Sequence, residues 1–376
     1  MAQHRQPNDA PLLFDDVRRH VEPREALQRG PAQQVELSMT VAGESELNVE
    51  VAAERLENAR SAPEGMGVYQ LNLSVYGAAV GTHAFPPTIE TVVLSSQRES
   101  RTHPEEVLEG YLPDHLALHP MPEPLPNELR TKPRLLSIHK QLDENLYEAT
   151  TVFAPDDRYT FSDTAFPWST VGRVDSPNGT SSGTMVGPRH LLTASHAIAW
   201  NSDGTAGWVK FTPSYFDGSE PYGVAWAQTT YFEVKVDPPV VTGDETRHDY
   251  VVCVLDRRIG DLTGWMGYRT YSDSWDGGTY WAHVGYPGDL TGASRPTFQG
   301  NIALDASEAD PEEHQAIFHQ GDVWPGQSGG PFFAWWDGES WPDLVSVQSW
   351  QATDNNGASG GSHMVDLIIQ AKSDFP

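Results

Sequence analysis

The stretch Gly326-Gln327-Ser328-Gly329-Gly330-Pro331 places one serine in a run of glycines, between two segments rich in aromatic residues. Glycine lets the backbone turn sharply and lets another carbonyl group come close. In such a turn the N–H groups of Gly326 and Ser328 can converge on one point and stabilise an oxyanion there. A serine hydroxyl becomes a nucleophile beside a base, and the base needs a carboxylate to orient it. His196, in Leu191-Leu192-Thr193-Ala194-Ser195-His196-Ala197, is the candidate base. Asp249, in His248-Asp249-Tyr250-Val251-Val252-Cys253-Val254-Leu255, is the candidate acid, so the chain order is His, Asp, Ser.

Gly-x-Ser-x-Gly alone is shared by unrelated folds. In an α/β-hydrolase the serine lies between a strand and a helix, and the order is Ser, Asp, His. Asp354 and His363 offer that order here. Against it, Pro331, Phe332, Phe333 and two tryptophans make a poor helix after Ser328, and too little chain remains to complete a large sheet. Asp256 is a rival acid, but it comes after its strand, whereas Asp249 comes before it; His248 is read as a neighbour without a catalytic role. Taken singly, the glycine turn reads as a plain hairpin and His196 as a satisfied core histidine. Taken jointly, the catalytic reading prevails.

At 376 residues the chain exceeds one ordinary domain. With 24 basic against 52 acidic residues its net charge is −28, which argues against nucleic acid as a partner. The single cysteine, Cys253, permits no intramolecular disulfide and sits in an apolar run that reads as core. No run of about 18 apolar residues predicts a membrane span. Met1 to Asp9 is polar and does not read as a signal peptide. The fourteen histidines include no His-Glu-x-x-His helix, so neither a metal nor another cofactor is expected, and a metal-dependent hydrolase is disfavoured.

Composition changes near residue 150: every tryptophan lies at or after Trp168. Two units are therefore expected, 1–150 and 151–376. Within the first, residues 1–30 read as a loose tail with at most a short helix. Val35 to Val51, Tyr69 to Val75 and Thr91 to Leu94 read as strands of a small α+β unit over about 31–110, and the proline-rich segment 112–134 reads as a linker or an extended wrap. From 151 onward, short strand candidates alternate with Gly, Pro, Asn and Asp turns. They are Thr170–Val174, Gly183–Val186, Leu191–Thr193, Gly207–Phe211, Val224–Val236, Tyr250–Leu255, Thr279–Val284, Gly300–Leu304, Ala316–His319, Gly330–Trp336 and Val345–Ser349. This is the pattern of an all-β sandwich or barrel.

Six ordered blocks resemble the chymotrypsin-like serine proteases, and among them most closely the glutamyl endopeptidase group and its bacterial relatives. Ser182-Gly183-Thr184-Met185-Val186-Gly187-Pro188 with Leu192 to His196 resembles the histidine block, and Asp249 opening an apolar strand resembles the acid block. Gly264-Trp265-Met266-Gly267-Tyr268-Arg269, Gly285-Tyr286-Pro287-Gly288-Asp289 and the Ser328 block are similar to later ones, and Val152 to Arg158 resembles the start of the mature enzymes. The resemblance spans roughly 150–370. It implies a mainly β fold of two barrels, with His196 and Asp249 from the first, Ser328 from the second and the site in the cleft between them. It also implies polypeptide substrates, an extracellular setting at odds with the polar amino terminus, and, as we expect, a monomer. A catalytically dead binding protein on the same fold is the competing class, and a missing triad residue would favour it; none is missing.

The resemblance is less specific for the substrate pocket. Asp322 lies where trypsin-like enzymes keep the acid that binds Arg or Lys, although some glutamyl-type sequences carry an acid there too. In Val345-Ser346-Val347-Gln348-Ser349-Trp350, Gln348 takes the place of the histidine that binds the substrate carboxylate in the glutamyl group. Gln cannot become a cation, which puts strict glutamyl preference in doubt. Ser349 and Trp350 resemble the strand that runs alongside a bound peptide. Residues 1–150 look like a pro-region, with an accessory domain as the alternative, and cleavage is expected between about Tyr147 and Val152. In chymotrypsin the acid before the nucleophile pairs with the freed amino terminus. Gln327 stands there and cannot form that ion pair.

Overall fold

The computed structural model describes residues 10–27, 90–93, 108–126, 152–203, 205–237, 245–306, 313–351 and 355–376. The strands expected over 35–51 and 69–75, Asp354 and the expected cleavage segment up to residue 151 lie outside the described residues. Strands in chain order are β1 Glu90–Val93, β2 Tyr159–Thr160, β3 Val171–Ser176, β4 Gly179–Gly187, β5 His190–Thr193, β6 Lys210–Pro213, β7 Ala225–Phe232 and β8 Val251–Leu255. They continue with β9 Gly267–Tyr268, β10 Trp281–Gly285, β11 Thr297–Ile302, β12 Leu304–Ala306, β13 Gln315–His319, β14 Pro331–Ala334, β15 Asp343–Gln351 and β16 Asn356–Gly360. A C-terminal helix follows over Ser362–Asp374.

The first sheet runs β7-β6-β3-β4-β5-β8, and β8 pairs back onto β7, which closes a six-stranded barrel; β1 adds to β7 in parallel. Strand β8 shows why its sequence is apolar throughout. Alternate side chains of a strand face opposite ways. Val251, Cys253 and Leu255 enter the barrel core with Val174, Met185, Leu191 and Phe211. Val252 and Val254 face a second core, shared with Val284, Phe333, Leu344 and Val347 of the other sheet and with Met364, Val365, Leu367, Ile368 and Ala371 of the C-terminal helix. That helix buries one face because its apolar residues recur three and four apart.

In the second sheet β10 pairs with β14 and β11, while β13 pairs with β12 and β16, and β15 joins β16 to β14. Only Ala303 separates β11 from β12, so the sheet curls back on itself around Trp281, Ile302, Leu304, Ile317, Phe332, Val345 and Ala358. The fold is the double β-barrel that the resemblance implies.

The described parts of the amino-terminal region lie on this frame. The Leu12 N–H donates to the Trp335 carbonyl (2.7 Å), Leu108 and Tyr268 bond across an isolated bridge, and the His119 N–H donates to Phe166 O (2.9 Å). Val17 and Val21 pack with Leu116, Leu118, Phe166 and Trp335. The proline-rich segment, as far as residue 126, is thus an extended wrap.

Candidate active site

Strand pairing brings the candidate base and acid together. Thr193 at the end of β5 is registered against Val251 at the start of β8, so residues just after one and just before the other meet at the same rim. The short turn Ser195–Ala197 is pinned by Ser195 Oγ donating to Val234 O (2.8 Å) and by Ser176 Oγ donating to Ala197 O (2.7 Å). The His196 N–H donates to Asp249 Oδ1 (2.8 Å), and His196 Nδ1 lies 2.6 Å from Asp249 Oδ2. Ser349 Oγ donates to the same Oδ2 at 2.5 Å. Asp249 is wholly buried and the His196 side chain is 17% exposed, so one edge of the imidazole is open to a reactant.

Burial alone would raise the Asp249 carboxyl, but the His196 charge and the hydrogen bonds from His196 and Ser349 outweigh it and hold it below the usual carboxylate range. Burial also opposes the imidazolium, yet Asp249 outweighs that and holds His196 above its ordinary value. With Nδ1 committed to Asp249, Nε2 is left as the nitrogen that can take a proton. The rival Asp256 sits at the other end of β8, where it accepts from the Trp226 N–H (2.9 Å). His363 is directed to Glu233 (2.6 Å), and Asp354 lies outside the described residues.

Ser328 comes from the turn between β13 and β14. Gly326 and Gly329 have φ of +106° and +78°, conformations that favour glycine. A Cβ at Gly329 would collide with Thr193 Oγ1 and Ser182 O, and one at Gly326 with Tyr286 O. The turn is fastened to the first barrel through Ser182 of β4. Its N–H donates to Ser328 O (2.8 Å), its Oγ donates to Gly326 O (2.7 Å) and accepts from the Tyr286 N–H (2.9 Å), and its carbonyl accepts from Thr193 Oγ1 (2.7 Å). Ser328 is therefore carried to within a few residues of the His196 turn. Among the described residues no hydrogen bond joins Ser328 Oγ to His196; such contacts are often long without substrate and tighten in the reacting complex.

The amides of this turn can be accounted for one by one. Trp324 N donates to Gln327 Oε1, Gln327 N to Trp324 O, Gly329 N to Gln348 O and Gly330 N to Gln327 O. Among the described residues the N–H groups of Gly326 and Ser328 have no acceptor, and they are the pair the sequence singles out for an oxyanion.

The Gln327 side chain is held from the start of the protease-like region. Arg158 Nη1 donates to Gln327 Oε1 (3.0 Å), and the same guanidinium binds Asp156 (2.9 Å) and Asp289 (2.6 Å). Sequence reasoning missed this clasp. Its members lie in the Val152–Arg158 and Gly285–Asp289 blocks, but nothing in either block names the partner.

The pocket candidates separate. Asp322 is 1% exposed, and its carboxylate accepts from the N–H groups of Phe153 (2.6 Å) and Asp157 (3.0 Å) and from Gln299 Nε2 (2.9 Å). It faces the 153–157 segment and clasps it. Gln348 is also buried: its Oε1 lies 2.9 Å from His319 Nε2, and its Nε2 donates to Trp350 O (2.9 Å). His319 Nδ1 accepts from the Gly321 N–H (3.1 Å), so its Nε2 carries the proton, and burial with the nearby His283 pushes its pKa down to about 3. His319 is a second residue missed at this pocket; it was legible only as the end of a strand. Ser349 is committed to Asp249. Past Val347 the β14 side of β15 has no partner strand among the described residues, which leaves the Ser349–Trp350 backbone open to an added strand.

Residues 181–341 match a trypsin-like peptidase domain. The chain is 32% identical over 218 residues to a glutamyl endopeptidase of Bacillus licheniformis, which covers 57% of this chain and 64% of that protein. It is 25% identical over 213 residues to an extracellular metalloprotease of Bacillus subtilis, covering 54% of this chain and 64% of that protein. The chain thus spans a little under two thirds of the length of these relatives. Among solved structures, a Glu endopeptidase in complex with MPD is similar over 59% of this chain and 100% of its own, at 18% identity and a TM-score of 0.48.

Proposed function

We propose that this chain, which carries a trypsin-like peptidase domain over residues 181–341, is a serine endopeptidase acting through His196, Asp249 and Ser328. Ser328 Oγ attacks the carbonyl carbon of a peptide bond while His196 Nε2 takes its proton. The imidazolium then protonates the leaving amine, and an acyl-enzyme remains. Water, deprotonated by the same histidine, releases the acid product. Asp249 holds the tautomer and stabilises the imidazolium. The Gly326 and Ser328 N–H groups receive the oxyanion.

The observation that carries this reading is the pairing of a buried Asp249–His196 couple with a serine turn whose two unbonded amides are those of Gly326 and Ser328. The test is labelling by a fluorophosphonate, which needs an activated serine, together with hydrolysis of a peptide substrate. Ser328→Ala is expected to fold, to lose labelling and to lose about 10⁴-fold or more in rate. A folded Ser328→Ala protein that still cleaves peptides overturns the reading. Activity that survives a chelator separates it from metal-dependent hydrolysis.

Substrates are polypeptides, recruited as an added strand beside Ser349 and Trp350. The buried, neutral Gln348–His319 pair favours a preference that is not strictly for Glu. Action outside the cell follows from the resemblance alone. Residues 1–150 act as a pro-region, removed between about Tyr147 and Val152. Because Arg158 rather than a new amino terminus holds Gln327, activation proceeds either by docking of the new terminus elsewhere or by removing a blocking segment. Amino-terminal sequencing of active material and assay of a chain with an uncleavable junction decide this; full activity of the intact chain favours an accessory domain instead.

A further inference from the structure

One group of side chains near Asp249 takes no part in the proposed reaction. Glu233 follows β7 in the first barrel, His314 precedes β13 in the second, and His363 stands in the first turn of the C-terminal helix. Their ligand-type atoms all lie within 4.8 Å of one another. His248 packs beside them, its ring centroid 4.2 Å from that of His314 at a tilt of 49°. The Glu233 side chain is only 2% exposed, with 5% for His363 and 12% for His314.

We propose that Glu233, His314 and His363 bind one divalent transition-metal ion of the Zn²⁺ class, with His248 alongside as a further nitrogen donor. The donor set is two imidazoles and a carboxylate, which suits borderline metals over Mg²⁺ or Ca²⁺. Glu233 Oε2 lies 3.5 Å from His314 Nδ1 and 3.5 Å from His248 Nδ1. That is long for a hydrogen bond, but close to the edge of about 3.3 Å that a tetrahedron with metal bonds of about 2.0–2.1 Å requires. His314 Nδ1 is buried and has no hydrogen-bond partner, so a polar atom aimed into the cluster lacks the group that would satisfy it. Tyr250 OH donates to Glu233 Oε2 (2.6 Å), the outer hydrogen bond that orients a carboxylate ligand.

His363 Nδ1 and Glu233 Oε1 lie 2.6 Å apart, within hydrogen-bond distance. An ion bound through His363 Nδ1 takes the place of that hydrogen bond, with the imidazole hydrogen carried on Nε2, and the pair opens by several tenths of an ångström.

The sequence hides this site because its ligands are scattered between residues 233 and 363 and form no short motif. Its position gives it a role apart from bond cleavage. It joins both barrels and the C-terminal helix, and two of its members, His248 and Tyr250, flank Asp249 in the chain. An ion here ties down the segment that presents Asp249.

The test is equilibrium dialysis of the full chain against Zn²⁺ with metal analysis, supported by the visible spectrum of the Co²⁺ form and by thermal unfolding with and without the ion. We expect one ion per chain, a spectrum of tetrahedral type and a raised Tm. His314→Ala and His363→Ala should each lose binding by about 100-fold or more, and Tyr250→Phe should weaken it by about 10–100-fold. His196→Ala should bind as before, which separates this site from the proposed catalytic histidine. Should an alanine variant fail to fold, Glu233→Gln, which keeps the side chain's shape, must show the same loss. Failure of the wild-type chain to retain Zn²⁺, or equal retention by a folded His314→Ala/His363→Ala double variant, overturns the proposal and leaves a hydrogen-bonded cluster. Fluorophosphonate labelling, read separately, keeps that failure distinct from failure of the protease reading.

Discussion

His196 and Asp249 come from neighbouring strand ends of one barrel and are joined by a charge and two hydrogen bonds, at 2.6 and 2.8 Å. Ser328 comes from a turn of the other barrel, and its surroundings are set by backbone shape: two glycines at positive φ, the Ser182 rivet and the Gln327 side chain under Arg158. The first half can be altered by changing a charge and should respond to pH. The second can be altered by changing what the backbone rests on and should respond little to pH, because Arg158 stays charged throughout. The difference teaches that the proposed catalytic site is assembled from an electrostatic part and a steric part, each with its own failure mode.

The largest expected effect lies in the electrostatic half. Asp249→Asn should fold and lose about 10⁴-fold in kcat, because the amide favours the wrong histidine tautomer. The proposed mechanism requires neutral His196, whose pKa is raised above 6.5, so rates should fall as pH drops through that raised value. Residual activity of Asp249→Asn should fall at lower pH, since the carboxylate that raised His196 is gone. Stability has its own sign. The raised His196 contributes stability that is full below 6.5 and lost as pH rises through its folded value. The depressed Asp249 contributes stability present above 3.8 and lost as pH falls through its folded value. The stability gap between wild type and Asp249→Asn should therefore be widest between those limits. Denaturant titrations across pH measure it, and a gap that does not vary with pH would break the comparison.

The steric half is tested next. Arg158→Leu leaves Asp156 and Asp289 without their shared cation and Gln327 Oε1 with only the Trp324 N–H. Removing one partner of a buried ion pair costs about 3–5 kcal/mol, and here the low end applies because Asp156 and Asp289 are 32% and 20% exposed. With Gln327 loosened, kcat should fall by less than the about 10²–10³ of losing an oxyanion donor outright. KM should change little, and the pH profile should keep its wild-type shape. A shifted acid limb in Arg158→Leu would show that the two halves are coupled after all.

How far this division was legible in the sequence differs between the halves as well. The proposed triad residues each stand in a local block that announces them, and β8 announced itself through five consecutive apolar residues that serve two cores. The Asn356–Gly360 strand went unread because Asn, Gly, Ala and Ser carry no alternation; they are buried as small residues, and a Cβ at Gly357 would strike the Trp350 ring. The C-terminal helix went unread although its apolar residues have helical spacing. At the pocket, counting placed Asp322 and Gln348 at the right positions in the chain but could not name their partners. Asp322 meets amides of Phe153 and Asp157, and Gln348 meets His319. A motif is a local statement, and a partner 29 or 169 residues away is a tertiary one.

The smallest expected effect sharpens the comparison where both halves meet the substrate. Gln348 belongs to β15 of the second barrel, one residue before Ser349, which supports Asp249 of the first. Its amide is neutral and already satisfied by His319 Nε2 and Trp350 O, so a substrate carboxylate near it gains at most a neutral hydrogen bond. Gln348→His introduces a group that can carry a proton. A hydrogen bond to a charged group contributes about 1 kcal/mol more than a neutral one, and 1 kcal/mol is roughly fivefold in a rate ratio. Burial works against the charge, as it does for His319 and for His283, whose pKa is likewise pushed down to about 3. The gain should therefore appear as pH falls and the new imidazole is protonated. The measurement is kcat/KM for paired peptides ending in Glu or Gln before the cut bond, across pH. A rise of about fivefold or less in the Glu:Gln ratio at low pH, with kcat on a neutral peptide unchanged, is the expected outcome. A ratio that is unchanged at every pH would place the carboxylate site away from residue 348. A collapse of kcat on all peptides would instead show that position 348 acts through Ser349 on the catalytic couple.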